Sequence, residues 1–353
     1  MEIREILEQA ISQKASDIFI VSGAPLSFKI NGLIGPVGGT KLLPDDTEQL
    51  IKQIYQCDHS RDISHFVLTG DDDFSFSIPG MGRFRCNAYK QRGSMSAVLR
   101  VVSFELPRAE ELHIPQVVID LYQKRKGLIL ITGSAGSGKS TTLACIIDKI
   151  NRTYHDHVIT IEDPIEFLHT HNQSIVSQRE IAHDTQGYVE ALRAALRQSP
   201  DVILLGEMRD FETIQTAVTA AETGQLVLST LHTIGAAKTI DRIIDVFPPN
   251  QQQQIRIQLS MVLQAVVSQQ LIPTVDGKLI PAFEVMTANS AIRNLIREGK
   301  THQMDNMIYA GGNEGMITMD ADILRLYRQG VISKDNALLY CTNMETMSKR
   351  LIG

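Results

Sequence analysis

The sequence contains no tryptophan, and aromatic residues make up only 5% of its 353 positions. Cysteines are few: Cys57, Cys86, Cys145 and Cys341 show no C-x-x-C spacing, which speaks against a zinc ribbon and indicates no disulfide framework. No stretch supplies the roughly 20 consecutive apolar residues of a membrane span. The amphipathic start, MEIREILEQAISQKASD, lacks the apolar centre of a secretory signal. Neither sign of charge dominates: Lys plus Arg is 34, Asp plus Glu is 40, and the net charge is −6. A mildly acidic chain has no global attraction to nucleic acid or anionic lipid. Hydrophobic residues at 43% and charged residues at 21% exclude a disordered or fibrous chain. At about 150 residues per domain, the length suits two domains. Together these features point to a soluble protein of the reducing cytoplasm.

The first hundred residues mix two periodicities. Ile3, Ile6, Leu7, Ala10 and Ile11 form a helical stripe, and Asp17–Val21 reads as a short buried strand. Leu26, Phe28 and Ile30 alternate with polar neighbours and run into Asn31-Gly32, a strong hairpin signal. Pro44–Gln56 predicts a helix. Phe74, Phe76 and Ile78, then Phe84, Cys86 and Ala88, alternate on either side of a Pro79–Gly82 turn, and Ser94–Val102 continues the sheet. This predicts an α+β domain over residues 1–102 with a mostly antiparallel sheet. Residues 103–115 read as a linker. From 116 to 353 short continuous apolar runs appear at Leu128–Ile131, Val158–Ile161, Val202–Leu205 and Leu226–Ser229, as buried parallel strands require. The second domain is therefore α/β, with a helical region from about Asn289 broken at Gly311-Gly312. Gln251–Gln254 reads as a solvated helical turn.

Gly133-Ser-Ala-Gly-Ser-Gly-Lys139-Ser140 matches G-x-x-x-x-G-K-[ST], with an apolar strand before it and a helical pattern after it. Such a loop directs backbone amides at phosphate oxygens, and the helix N-terminus adds partial positive charge. Gly133, Ser134, Ala135, Gly136, Ser137, Gly138, Lys139, Ser140 and Thr141 are thus candidate ATP-binding residues. Lys139 would reach the β and γ phosphates and Ser140 would ligate Mg²⁺. Val202–Glu207 suits a Walker B strand, with Glu in place of the usual Asp. Ile161-Glu-Asp-Pro-Ile-Glu166 places three carboxylates at a strand end, open to a metal or water-polarising role or to that of a solvated acidic loop. His232 follows the Leu226–Ser229 run at the crevice side of an α/β sheet. The pairs His155/His157 and His169/His171 lack further ligands at metal spacing and read as surface loop residues.

These residues carry a resemblance. Ile161–Phe167, Gly206-Glu-Met-Arg-Asp210, Ala220–Gly224, Thr230-Leu-His-Thr233 and Ala236–Asp241 resemble the secretion-superfamily ATPases. Ala291-Ile-Arg-Asn-Leu-Ile-Arg-Glu298 is similar to the signature of the PilT family of type IV pilus retraction motors, and the likeness covers nearly the whole chain. It implies a homohexameric ATPase with a PAS-like N-terminal domain and a RecA-like C-terminal domain. It implies that Glu166 activates the attacking water, that Glu207 stands at Mg²⁺ through a water, and that His232 senses the γ-phosphate. N-terminal arginines reach the nucleotide in this family; Arg92 and Arg100 match that region, and surface strand arginines remain the alternative. Retraction attaches to Ala291–Glu298, so Arg293 and Arg297 are expected to couple hydrolysis to movement. The implied partners are an inner-membrane platform protein at the pilus base and a paralogous motor, with no nucleic acid and with membrane association only through partners. The implied place is the cytoplasm, at the inner face of the cell membrane.

Departures are local. Ser134 and Ala135 replace the family's usual Pro and Thr, at positions where backbone does the work. Ile234-Gly235 stand where polar or small residues are usual. Asp17-Ile-Phe-Ile20 and Gly23-Ala-Pro-Leu26 look like the PilU branch. Three rival functions are an extending or secretion motor, a nucleic-acid translocase and a non-hydrolysing scaffold. The four cysteines, none of them at the C-x-x-C spacing of a tetracysteine zinc site, and the Ala291–Glu298 run count against the first. The acidic balance counts against the second. Intact Lys139, Glu166, Glu207 and His232 count against the third.

Overall fold

The computed structural model describes residues 2–30, 32–57, 61–102, 106 and 108–351. The chain divides into two compact units, Met1–Glu105 and Leu106–Gly353.

The first unit is built on a six-stranded sheet of β1 (Asp17–Ile20), β2 (Pro25–Ile30), β3 (Leu33–Lys41), β4 (Asp71–Ile78), β5 (Gly82–Gln91) and β6 (Ser94–Val102). The order is β3-β2-β1-β6-β5-β4, and every pairing is antiparallel. The predicted stripe of the Ile3–Ser12 helix buries Ile3, Ile6, Leu7 and Ala10, and the Pro44–Cys57 helix buries Leu50, Ile51, Ile54 and Tyr55. Both join Phe28, Phe74, Phe76, Phe84 and Leu99 in one core. The β2–β3 hairpin turns between Ile30 and Leu33, which face each other; Asn31 lies outside the described residues. Strand β3 is absent from the sequence-based reading. Its Gly35, Pro36, Gly38 and Gly39 break any alternation, and a sheet edge tolerates them because one side of the strand needs no partner.

The expected linker is only partly described, since residues 103–105 and 107 lie outside the described set. Its later half folds onto the second unit: Ile114 is buried in that core, and Ala109 and Leu112 pack against it.

The second unit has a seven-stranded sheet ordered β13-β12-β7-β11-β10-β8-β9. Its strands are β7 (Gly127–Thr132), β8 (His157–Glu162), β9 (Ile175–Glu180), β10 (Val202–Leu205), β11 (Leu226–Leu231), β12 (Leu263–Pro273) and β13 (Leu279–Thr287). Strands β12, β7, β11, β10, β8 and β9 are parallel, and β13 runs antiparallel beside β12. Every residue of β7, β10 and β11 is buried, which is why their sequences show no alternation. Apolar clusters cover both sheet faces. Central β7 pairs with β11 and not with β8, the next strand in the chain, so a crevice opens at the carboxyl ends of these strands.

After β13 the chain is helical, with Ser290–Glu298, Met304–Ala310, Met319–Arg328, Lys334–Tyr340 and Met344–Arg350 as its α-helices. Four begin where Asn289, Thr318, Ser333 and Asn343 side chains accept amides of the first turn. Gly311–Glu314 forms the expected interruption. The Gln251–Gln254 run lies in the Pro249–Val262 helix, with Gln253 and Gln254 exposed. Among the described residues, no helix is long and apolar enough to cross a membrane.

Candidate nucleotide site

Strand β7 ends at Thr132, the loop follows, and the Lys139–Thr153 helix begins at the lysine. The Lys139 ammonium, 8% exposed, donates to the carbonyls of Gly133 and Ser134, each at 2.9 Å. Burial pulls its pKa below the ordinary lysine value, while Glu166 and Glu207 oppose that shift. Strand β12 braces the loop from below. A Cβ on Gly133 would stand 2.2 Å from the Gln269 carbonyl oxygen, so only glycine fits there. The Thr142 hydroxyl donates to the buried Gln269 Oε1 at 2.7 Å.

The acidic residues come from the ends of neighbouring strands. Glu207 lies two residues beyond β10, on a segment fixed from both sides. The Gly206 amide donates to the Ile161 carbonyl at 2.8 Å, and the Thr230 hydroxyl donates to the Gly206 carbonyl at 2.6 Å. Glu207 is 8% exposed; its Oε1 pairs with the Arg209 guanidinium, and its Oε2 is buried without a hydrogen bond. His232, one residue beyond β11, holds Nε2 3.4 Å from that Oε2. Glu166 is exposed at the β8 end of the site. Glu162, the last residue of β8, accepts from the Thr160 hydroxyl at 2.6 Å and the Gln178 amide at 3.3 Å. Burial nonetheless pushes its carboxyl up to about 7.

A cavity of about 550 Å³ brings Ala135, Gly136, Ser137, Gly138, Lys139, Ser140 and Thr141 together with Glu166, Glu207 and His232. Gly133 and Ser134 meet the Lys139 ammonium instead of its wall. Glu162, one of the three carboxylates expected at this strand end, also lines it, as do Tyr188 and Arg209, which the sequence did not single out. Tyr188 comes from a different helix, and no motif marks it. Arg209 stands in the family run Gly206–Asp210, which was the available signal.

The other candidates lie elsewhere. Arg92 and Arg100 belong to the first unit. Arg92 is exposed in the β5–β6 turn, and Arg100, on β6, places Nε 3.2 Å from Asp17 Oδ1 on β1. The polar face of Ser290–Glu298 has packing duties of its own. The half-buried Arg293 donates to the carbonyls of Ser260 and Met261 at 2.6 and 2.9 Å, satisfying the end of the Pro249–Val262 helix. Arg297 is exposed, and among the described residues it bonds only within its own helix, at Asn294 3.4 Å away. Two of the four paired histidines depart from the surface reading. His157 is in β8, bonded to the Gln198 carbonyl and the Ser177 hydroxyl, and burial pushes His169 down to about 4. Among the described residues, no group of three or more His, Cys, Asp or Glu side chains forms a metal cluster.

A glycine loop between a buried parallel strand and a helix, a lysine at the helix start, and acids at adjacent strand ends define a P-loop nucleotide-binding domain. The profile described as "Type II/IV secretion system protein" matches residues 1–338, and the chain belongs to that family. It is 45% identical over 337 residues to the type IV pilus retraction ATPase PilT of Pseudomonas aeruginosa, covering 96% of this chain and 97% of that one. The type IV pilus ATPase PilU of the same organism is 39% identical over 96% of this chain and 88% of its own. The crystal structure of the pilus retraction motor PilT with bound ADP superposes with a TM-score of 0.89 at 45% identity, covering 99% of both chains.

Proposed function

We propose that this chain is an ATP-hydrolysing motor that powers type IV pilus retraction, and hence twitching motility, by disassembling the pilus at its base. The observation that carries the reading is the convergence of Lys139, Glu166, Glu207 and His232 on one cavity of about 550 Å³, in a chain alike over its length to a retraction ATPase. The motor works as a homohexamer in the cytoplasm, at the inner face of the membrane. It docks on an inner-membrane platform protein, alongside a paralogous motor, and uses no nucleic acid.

Phosphoryl transfer needs positioning and charge neutralisation more than covalent chemistry. The amides from Gly136 to Ser140 and the helix N-terminus receive the phosphates. Lys139 exchanges its carbonyl partners for phosphate oxygens. Glu166 orients the attacking water. His232 beside Glu207 reads the γ-phosphate. Arg92 and Arg100 of a neighbouring subunit add charge. The residues fit Mg²⁺: Ser140 lines the cavity, and Glu207 offers a buried oxygen that has no hydrogen bond. When bound, the ion neutralises charge on the phosphates. Hydrolysis is converted into relative motion of the two units.

Purified chain with Mg-ATP tests the reading. Phosphate release that single- or double-stranded DNA leaves unchanged is the expected result. No release refutes the ATPase assignment, and a DNA-stimulated rate favours a translocase.

A further inference from the structure

The loop that carries His232 is held from behind by a pair of side chains no motif marks. In the antiparallel β12–β13 ladder, Ser268 stands directly opposite Glu284. The Ser268 hydroxyl accepts the Gly235 amide at 2.9 Å, and Glu284 Oε1 accepts the Ala236 amide at 2.8 Å. Two consecutive amides at the start of the Ala236–Asp245 helix are thus docked on one cross-strand pair. Ser268 is fully buried and Glu284 is 8% exposed. The amide of Met319, the first residue of the Met319–Arg328 helix, also favours the charged form of this carboxylate.

Placing a carboxylate here is costly. Burial raises its pKa, and Asp305 and Asp320 raise it further, while the amides of two helix N-termini act in the opposite direction. The loop is also shaped to meet the pair. Gly235 has a φ of +97°, which side chains rarely adopt, so the residue found where the family has polar or small ones is the one this turn needs. Thr239 donates to the Gly235 carbonyl at 2.8 Å, and the Thr233 and Thr239 hydroxyls are 2.7 Å apart. From this anchored turn the chain runs back three residues to His232, at Glu207.

We propose that the Ser268–Glu284 pair is a positioning device for catalysis: it fixes the Gly235–Ala236 turn and thereby holds the His232 imidazole beside Glu207. Neither residue touches the nucleotide; both act through His232. The proposal rests on the reading of the cavity as an ATPase site, and it adds that the C-terminal helices reach the γ-phosphate sensor through Glu284.

The test uses the full chain with Ser268→Ala and Glu284→Gln, each alone and combined with His232→Ala. Glutamine removes the charge and replaces one of the two acceptor oxygens with a donor. Circular dichroism confirms folding, and Ser268→Ala carries the test if Glu284→Gln does not fold. Each single variant should lower kcat about tenfold or more while the affinity for a fluorescent ATP analogue changes less than about threefold, because displacement of a catalytic group spares binding. On the residual single-turnover rate of His232→Ala, the same changes should have no further effect. An unchanged kcat in folded variants overturns the proposal. So do losses that multiply with that of His232→Ala, or equal losses of binding and turnover. A parent chain that hydrolyses no ATP overturns the ATPase reading itself, a result distinct from these.

Discussion

The phosphate site has a front and a back, and the two are built differently. The front consists of Lys139, at a helix start, and Glu166, Glu207 and His232, on loops beyond the carboxyl ends of parallel strands; all four line the cavity. The back consists of Gln269, Ser268 and Glu284 on the β12–β13 hairpin, which touch the loops from beneath. Front residues keep unsatisfied or exposed polar atoms, such as the bare Oε2 of Glu207 and the exposed Glu166. Back residues are buried and spend their polar atoms on backbone amides and a threonine hydroxyl. Chemistry needs the first condition and fixed geometry needs the second, so substitutions on the two sides should fail in different ways.

The largest effect is expected at the front. Lys139→Ala should lower ATP turnover by about three orders of magnitude or more, since the phosphates lose a fixed cation. A phosphate-release assay reads this, and a rate near the parent's would remove Lys139 from the site. Next come the two front acids. Glu166→Gln should leave ATP bound but unhydrolysed with an unchanged Mg²⁺ titration. Glu207→Gln should lose turnover and also require more Mg²⁺ for ATP binding. Identical titrations would merge the roles, and reversed ones would exchange them.

The third prediction takes the comparison to the C-terminal signature. Arg293→Ala leaves the Ser260 and Met261 carbonyls without their donor and should cost about 1–3 kcal/mol, read as a lower unfolding midpoint. Arg297→Ala, exposed, should stay within about 0.5 kcal/mol of the parent. If pili fail to retract only with Arg297→Ala, coupling resides there; equal midpoints would refute the capping role of Arg293.

The last prediction concerns Glu162. Its carboxyl is raised from 4.5 to about 7, so the folded chain binds more protons than the unfolded one between those values. Its contribution to stability is therefore present at low pH and declines as pH rises from about 4.5 to 7. Glu162→Gln should flatten that part of the parent's stability profile in chemical denaturation at several pH values. An unaltered slope would show that Glu162 ionises normally.

This division also explains what could be read beforehand. Front residues lie in contiguous motifs, β7 and β10 are almost wholly apolar and β11 opens on an apolar run, so the motif residues and these parallel strands were legible. Strand β12 was not, because the Pro249–Val262 helix passes into Leu263 with no intervening turn residue. Pro281 within β13 and the polar sequence IVSQRE of edge strand β9 concealed those strands. The Arg293 cap joins residues more than thirty positions apart, and Glu284 reaches Ala236 over 48. No local pattern records such partners; only the folded register brings them together.

The central claim is that chemistry at the front drives pilus retraction, and it is tested most directly in a strain lacking this gene. Fluorescently labelled pili would be filmed after complementation with the parent chain or with Lys139→Ala at matched expression. The account predicts that the parent restores shortening of extended pili, whereas Lys139→Ala leaves pili that extend and do not shorten. Shortening at the parental rate with Lys139→Ala, or no shortening with the parent, would contradict it.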